Sequence, residues 1–162
     1  MQSAMNIVSL VVALLICYSA AALGSGFTVP GLRTWYASLR KPSWNPPNDV
    51  FAPVWTVLYG AMAVSLWLVW TDAGFAAGRL ALTLFALQLL LNVAWSWLFF
   101  ARRNPSAAFA DIVALWLAIG ATALAFAQID LVAALLLLPY LAWVSFAAAL
   151  NFAIMRRNPA TR

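Results

Sequence analysis

The sequence predicts an all-α integral membrane protein, built as a bundle of five transmembrane helices. Its 162 residues are 66% hydrophobic and only 8% charged, whereas soluble domains are about half apolar and about a quarter charged. Because so few charged side chains cannot cover a surface that faces water, most of the surface must face lipid. The hydrophobic residues also fall into five long runs, and about 20 residues span the hydrocarbon layer as a helix.

The five runs define the predicted helices of a single domain, residues 1–162. Helix one is expected at about 5–25, where the lack of any Lys or Arg before Arg33 argues against a signal peptide. The other four are expected at about 49–71, 79–101, 106–127 and 131–156, which leaves one long loop at about 26–48. Run length and the lack of alternating polarity favour helices over strands. Pro139 removes a backbone hydrogen bond, so helix five is predicted to kink there.

Positive charges are distributed unevenly between the two sides of the predicted bundle. One side carries Arg79 alone, and the other carries Arg33, Arg40, Lys41, Arg102, Arg103, Arg156, Arg157 and Arg162. Since Lys and Arg concentrate in cytoplasmic loops, the C-terminus and the long loop are predicted to be cytoplasmic, with the N-terminus outside. The composition is typical of a bacterial protein. No nucleic-acid partner is predicted, because the cations form no aromatic-rich basic patch.

The usual catalytic groups are missing from this sequence. It contains no His, its only Lys lies in the long loop, and its four aspartates are widely separated. His is the commonest general base and a frequent metal ligand, and neither a phosphate-binding loop nor a nucleophile elbow is present. The sequence therefore predicts no metal site, no resident cofactor and no conventional hydrolytic or metal-dependent catalysis.

Two predicted helices carry amide and aromatic side chains together on one face. In helix three this face consists of Gln88, Asn92, Trp95 and Phe99. In helix five it consists of Tyr140, Trp143, Ala147 and Asn151. Polar side chains are costly in lipid and turn toward the bundle interior. There they form either a mostly apolar pocket with a few orienting groups or hydrogen bonds between helices.

Two further patterns have two interpretations each. The long loop contains Trp35, Tyr36 and Trp44, which act either as interfacial anchors or as a lid over a pocket. Helix four carries a stripe of small residues, Ala110, Ala114, Ala118, Ala121 and Ala125. Small residues let helices approach closely, so this stripe is expected to pack inside the bundle or across a homodimer.

Several stretches of the chain match one family of membrane proteins. They are Gly31-Leu32-Arg33 with Trp35-Tyr36, Lys41 to Pro47, Pro53 to Tyr59, Gln88 to Asn92 with Trp95 and Phe99-Phe100, Asp111, Pro139 to Trp143, and Phe146-Ala147 with Leu150-Asn151. These stretches cover nearly the whole chain in order. On them the sequence resembles the translocator protein family, also called tryptophan-rich sensory proteins or peripheral-type benzodiazepine receptors.

The resemblance implies a five-helix bundle, often dimeric, that binds porphyrins, sterols and benzodiazepine-type ligands in a pocket near the first loop. Under the family's pattern the pocket is expected to be lined by Tyr36, Pro47, Trp55, Asn92, Trp95, Trp143 and Ala147. Asn92 and Trp55 would be its polar groups. Aromatic stacking of about 0.5–1.5 kcal/mol per ring suits a flat apolar ligand of the protoporphyrin type. Phe152 departs from the family's sterol-recognition stretch, which has Tyr at this place.

Three classes of function follow from the resemblance. The first is a membrane sensor or regulator that binds a porphyrin. Sterols and benzodiazepine-type compounds are further candidate ligands of such a sensor. The second is a transporter of porphyrin or sterol, although no inverted repeat and no embedded coupling charges are evident. The third is a light- and oxygen-dependent enzyme that degrades porphyrin, in which Trp55 and Trp143 would react.

Overall fold

The computed structural model describes the backbone of residues 2–159 and the side chains of residues 6–159. This part of the chain is helical, without strands. Its α-helices are α1 Gln2–Leu32, α2 Trp35–Ser38, α3 Phe51–Ala77, α4 Arg79–Ser96, α5 Pro105–Ala127, α6 Leu131–Leu136 and α7 Leu138–Arg157. A 3-10 turn, Asn48–Val50, precedes α3, and a π-helical turn, Trp97–Ala101, follows α4.

Five segments are long and apolar enough to cross a membrane, and they confirm the predicted fold class. They are Asn6–Leu32, Asn48–Ala77, Arg79–Ala101, Pro105–Ala127 and Leu131–Arg157. The closest packing joins α4 with α5, α1 with α3, and α5 with α7.

The first helix is longer than predicted, because it ends at Leu32 rather than near residue 25. The long loop is correspondingly shorter than the predicted 26–48. Gly24, Gly31 and Pro30 look like helix-breaking residues in the sequence, yet all three lie within α1. A Cβ atom at Gly24 would lie 3.3 Å from Ser96 Oγ, and one at Gly31 would lie 3.3 Å from Phe100. Gly24 and Gly31 therefore allow α1 to pack closely against the end of α4 and the π-helical turn, and they do not end the helix.

Two other helices differ from the predicted boundaries. The second predicted helix, at about 49–71, continues to Ala77, with a kink at Gly74, whose φ of 63° is a conformation that glycine adopts without strain. The fifth predicted helix is divided between α6 and α7 at Leu137. Pro139 lies in the first turn of α7, where its missing N–H costs least. The kink predicted from Pro139 is therefore present as a helix break.

The interior is divided into two apolar clusters. The larger one fills the middle of the bundle and includes Met62, Phe85, Ile119 and Phe126. Phe85 and Phe126 stack with ring centroids 5.8 Å apart. The smaller one joins Tyr36 and Leu39 of the first loop region to α5, α7 and the π-helical turn. The first loop is thus part of the packed structure.

One end of the bundle carries most of the positive charge. Its cations are Arg33, Arg40, Lys41, Arg102, Arg103, Arg156 and Arg157, and we call it the basic end. Arg162 lies outside the described residues. At this end the Arg40 N–H donates to Asn158 Oδ1 at 3.0 Å, and Asn158 Nδ2 donates back to the Arg40 carbonyl at 3.0 Å. This pair of bonds ties the first loop to the end of α7.

Candidate ligand-binding site

A cavity of about 280 Å³ lies between α1, α3, α4 and α7, toward the basic end. This volume is near the lower limit of small-molecule sites, which range from about 300 to 1,000 Å³. Its lining is mostly apolar and contains no Asp, Glu, Lys or Arg among the described residues. Such a lining offers no carboxylate, amine or guanidinium group, and it suits an apolar ligand.

The structure brings six of the seven sequence-predicted site residues together. The residues that line the cavity are Tyr36, Trp55, Asn92, Trp95, Trp143 and Ala147. Pro47 is exposed, and it is not among the lining residues. Its carbonyl accepts a hydrogen bond from the Val50 N–H at 3.1 Å and so starts the 3-10 turn. The next residue, Asn48, lines the cavity in its place.

The floor of the cavity is formed by Tyr59 and Asn92, which belong to a hydrogen-bonded chain of three buried side chains whose third member, Tyr140, lies behind the lining. The Tyr59 hydroxyl donates to Asn92 Oδ1 at 2.6 Å, and Asn92 Nδ2 donates to the Tyr140 hydroxyl at 2.8 Å. Asn92 is 3% exposed, Tyr59 5% and Tyr140 0%. Asn92 thus combines both sequence interpretations, since it lines the cavity and also joins α3, α4 and α7. Its amide is already engaged on both sides.

A second amide fixes the wall of the cavity near the basic end. Trp95 Nε1 donates to Asn151 Oδ1 at 3.0 Å, and Asn151 Nδ2 donates to the Pro105 carbonyl at 2.8 Å. These bonds connect α4, α7 and the start of α5. Trp95 also stacks on Phe99, with centroids 5.3 Å apart and planes 25° apart. The Trp95 ring is therefore held in one orientation beside the cavity.

The other aromatic walls come from α3 and α7. The Trp55 ring lies 5.6 Å from Tyr59 and 6.1 Å from Tyr140. The Trp143 ring makes an edge contact with Phe51 at 6.0 Å. Tilted and edge-on arrangements at these distances are the favourable geometries for aromatic pairs. Together these rings surround the cavity with flat apolar surfaces.

Helix α1 supplies a face that the sequence reasoning missed. The cavity residues on it are Tyr18, Ala21, Gly24, Ser25, Thr28, Val29 and Leu32. Most recur at spacings of three and four residues, and several are small or hydroxyl-bearing. A stripe of small and polar residues in an otherwise apolar span is the sequence signal for an interior face. It was hidden because helix one was expected to end near residue 25.

One side of the cavity opens between α1 and α3. Val29 is 62% exposed, and Ala52 and Thr56 are also exposed lining residues. Further along this seam, the Tyr18 hydroxyl donates to the Thr56 carbonyl at 3.0 Å. The bond joins the two helices and closes the seam at that level. A ligand longer than the enclosed volume can extend through the open part.

The first loop covers the end of the cavity through Tyr36. Its hydroxyl donates to Asn45 Oδ1 at 2.7 Å. Lys41 Nζ donates to the Tyr36 carbonyl at 2.7 Å and lies 4.8 Å from the centre of its ring. Burial raises the pKa of Tyr36 to about 12. Trp44, by contrast, is 48% exposed, so the loop has one aromatic facing the cavity and another facing outward.

Gln88, which the sequence groups with Asn92, has a different environment. It is 1% exposed, and it is not among the lining residues of the cavity. Neither its Nε2 nor its Oε1 has a hydrogen-bond partner among the described residues, and the same holds for Asp111 Oδ2. Gln88 is therefore a buried amide without the bonds that Asn92 makes one helical turn away.

Comparison with known proteins gives a consistent result over nearly the whole chain. The model of the TspO/MBR family matches residues 12–157. The chain is 44% identical over 156 residues to the tryptophan-rich protein TspO of Chlorobaculum tepidum, covering 95% of this chain and 98% of that protein. It is 44% identical over 130 residues to the translocator protein of Homo sapiens, covering 79% and 76%. With the tryptophan-rich sensory protein of Cereibacter sphaeroides it shares 40% identity over 124 residues, covering 76% and 77%.

Proposed function

The chain belongs to the TspO/MBR family, and from this premise we propose that it is a membrane sensor or regulator that binds a protoporphyrin-type ligand. The ligand occupies the cavity between α1, α3, α4 and α7. The observation that carries the proposal is the lining itself, which combines three indole rings, Trp55, Trp95 and Trp143, with no charged side chain. Flat aromatic surfaces favour a planar macrocycle over a compact or highly polar molecule.

The opening between α1 and α3 supports the same ligand class. Because Val29, Ala52 and Thr56 are exposed within membrane-spanning segments, this side of the cavity faces lipid. An apolar macrocycle partitions into lipid and can reach the cavity from there. The basic end faces the cytoplasm in this proposal, as the concentration of Lys and Arg at that end favours.

The direct test is a porphyrin titration of the purified protein in detergent, kept in darkness. Protoporphyrin is added while tryptophan fluorescence is followed, since a porphyrin bound beside Trp55, Trp95 and Trp143 quenches their emission. Saturable quenching at micromolar porphyrin supports the proposal. A linear response, equal to that of free tryptophan at the same absorbance, would contradict it.

A second candidate function is supported by the position of Trp55 and Trp143 in the cavity lining. Both are the residues expected to react if the protein degrades porphyrin with light and oxygen. Repeating the titration under illumination separates the two functions. A new absorbing product that forms in the wild type and not in Trp143→Phe supports degradation, whereas an unchanged porphyrin spectrum supports binding alone. Transport would require porphyrin flux across proteoliposomes.

The homodimer and sterol predictions concern the outer surface of the bundle. Of the small residues of α5, Ala110 and Ala114 are exposed, whereas Ala118 is 7% exposed and packs inside. A homodimer formed through α5 therefore uses the Ala110 and Ala114 end of the stripe. Phe152 is 42% exposed and contacts Phe109 at 5.3 Å, so a sterol recognised there lies against the lipid-facing surface rather than in the cavity.

A further inference from the structure

Ser96 differs from the other buried hydroxyl-bearing residues of the described chain. Ser65 and Thr122 are 0% exposed and Ser96 is 8% exposed. The Ser65 hydroxyl donates to the Ala133 carbonyl at 2.7 Å, and the Thr122 hydroxyl donates to the Ala118 carbonyl at 2.7 Å. Ser96 makes no side-chain hydrogen bond to any described residue. Because Ser96 lines the cavity, its hydroxyl is free to bond to a partner from outside the chain.

The position of Ser96 directs this hydroxyl toward the cavity. Ser96 lines the cavity and is the last residue of α4, immediately before the π-helical turn Trp97–Ala101. π-helical turns are frequent at functional sites. Across from it on α1 lies Gly24, where an added Cβ would be 3.3 Å from Ser96 Oγ. The missing side chain of Gly24 keeps the space beside the hydroxyl free.

The remaining polar groups of the cavity indicate which atom the hydroxyl meets. Trp55 and Trp143 line the cavity, and neither indole N–H donates to a described residue. The indole donors of the described part are Trp67, Trp95 and Trp116. The amide oxygens of Asn92 and Asn151 already accept bonds from Tyr59 and Trp95. The unused indole N–H groups and the hydroxyls of Ser25 and Ser96 can all donate, so they match a ligand that carries acceptor atoms.

We infer that Ser96 is a specificity-determining residue of the cavity, whose hydroxyl donates a hydrogen bond to a carbonyl-type oxygen on a planar apolar ligand. The oxygen belongs to an ester, an amide or a carboxyl group. The inference rests on the proposed function, because it assumes that the cavity binds such a ligand. Gly24 contributes by leaving the approach to Ser96 open.

The binding test compares porphyrins of similar size that differ in their oxygen atoms. Protoporphyrin dimethyl ester has neutral carbonyl oxygens, protoporphyrin has carboxyl groups, and octaethylporphyrin has no oxygen. Ser96→Ala is expected to weaken binding of the ester about fivefold, the effect of one net hydrogen bond, and to leave octaethylporphyrin unchanged. A larger loss with the acid than with the ester assigns the bond to an ionised carboxylate. An equal effect on all three, or no effect on any, would overturn the inference.

The glycine pair provides a matched control on α1. Gly24→Ala places a methyl group against the Ser96 hydroxyl and is expected to reproduce the selective loss of ester binding. Gly26→Ala makes the same change where nothing lies within 4 Å of the new atom, so binding should remain at the wild-type value. Equal effects of the two variants would contradict the role given to Gly24.

A ligand-free measurement separates this inference from the proposed function. In the ligand-free protein, Ser96→Ala removes an unpaired hydroxyl and should leave the apparent unfolding temperature unchanged or raise it. Ser65→Ala removes the donor to the Ala133 carbonyl and should lower that temperature by about 2–4 °C. An equal fall in both variants would show that Ser96 is satisfied within the protein and would overturn the inference. Failure of every porphyrin to bind the wild type would instead contradict the proposed function.

Discussion

Replacing Asn92 with leucine, which has nearly the same shape, tests whether the cavity floor is held by hydrogen bonds. The change removes the bond of 2.6 Å from Tyr59 and the bond of 2.8 Å to Tyr140. Hydrogen bonds between helices in membrane proteins contribute about 0.6 kcal/mol on average and about 1.7 kcal/mol at most. Two lost bonds therefore cost about 1–3 kcal/mol. The apparent unfolding temperature in detergent should fall by roughly 3–10 °C.

Two controls identify the cause of that loss. Gln88→Met is the matched change one turn earlier on α4, at a buried amide whose two polar atoms have no described partner, so it should not lower the unfolding temperature. In Asn92→Leu the hydroxyls of Tyr59 and Tyr140 are left buried without their hydrogen-bond partner. A triple variant that adds Tyr59→Phe and Tyr140→Phe removes these hydroxyls and should restore part of the stability, since removing all partners of a buried bond is nearly neutral. If Gln88→Met costs as much as Asn92→Leu, hydrogen bonding is not what holds the floor.

Three further predictions concern the cavity wall, the first loop and the outer surface. Trp143→Ala should weaken protoporphyrin binding about thirtyfold in the fluorescence titration, since a truncated central aromatic costs about 2 kcal/mol; a change below threefold would place the ligand elsewhere. Burial raises the pKa of Tyr36 from 10.0 to about 12, so the folded protein keeps this hydroxyl protonated where the unfolded chain loses the proton. The contribution of Tyr36 to stability is therefore fully present below about pH 10 and is lost as the pH rises toward 12. The unfolding temperature of the wild type should therefore fall more steeply than that of Tyr36→Phe over this range, and parallel curves would refute the assignment. Ala114→Phe should reduce the amount of crosslinked homodimer in membranes. Leu124→Phe is the control on the same helix, at a side chain that is 72% exposed, and it should leave the amount unchanged. Equal dimer yields in both variants would exclude the α5 interface.

The spans were predictable because the cost of placing charge in lipid acts on each run of the sequence separately. The position of Pro139 likewise predicted the break between α6 and α7, since a missing backbone donor is a local property. The end of helix one was not predictable in this way. Gly24 and Gly31 are ambiguous in sequence, since glycine both ends helices and permits close packing. Only the contacts with Ser96 and Phe100 distinguish the two uses.

For the site, the sequence alone determined which faces of the third and fifth predicted helices turn inward, because polar side chains avoid lipid. The family pattern added Trp55 and selected Tyr36 from the loop aromatics that the sequence had indicated as a lid, and both line the cavity. The tertiary structure decided what the polar groups do. It joins Asn92 to Tyr59 and Tyr140 and leaves Gln88 without a partner, although the two amides share one helical face. Hydrogen bonding depends on which side chains other helices bring within about 3 Å, and spacing along a single helix does not contain that information.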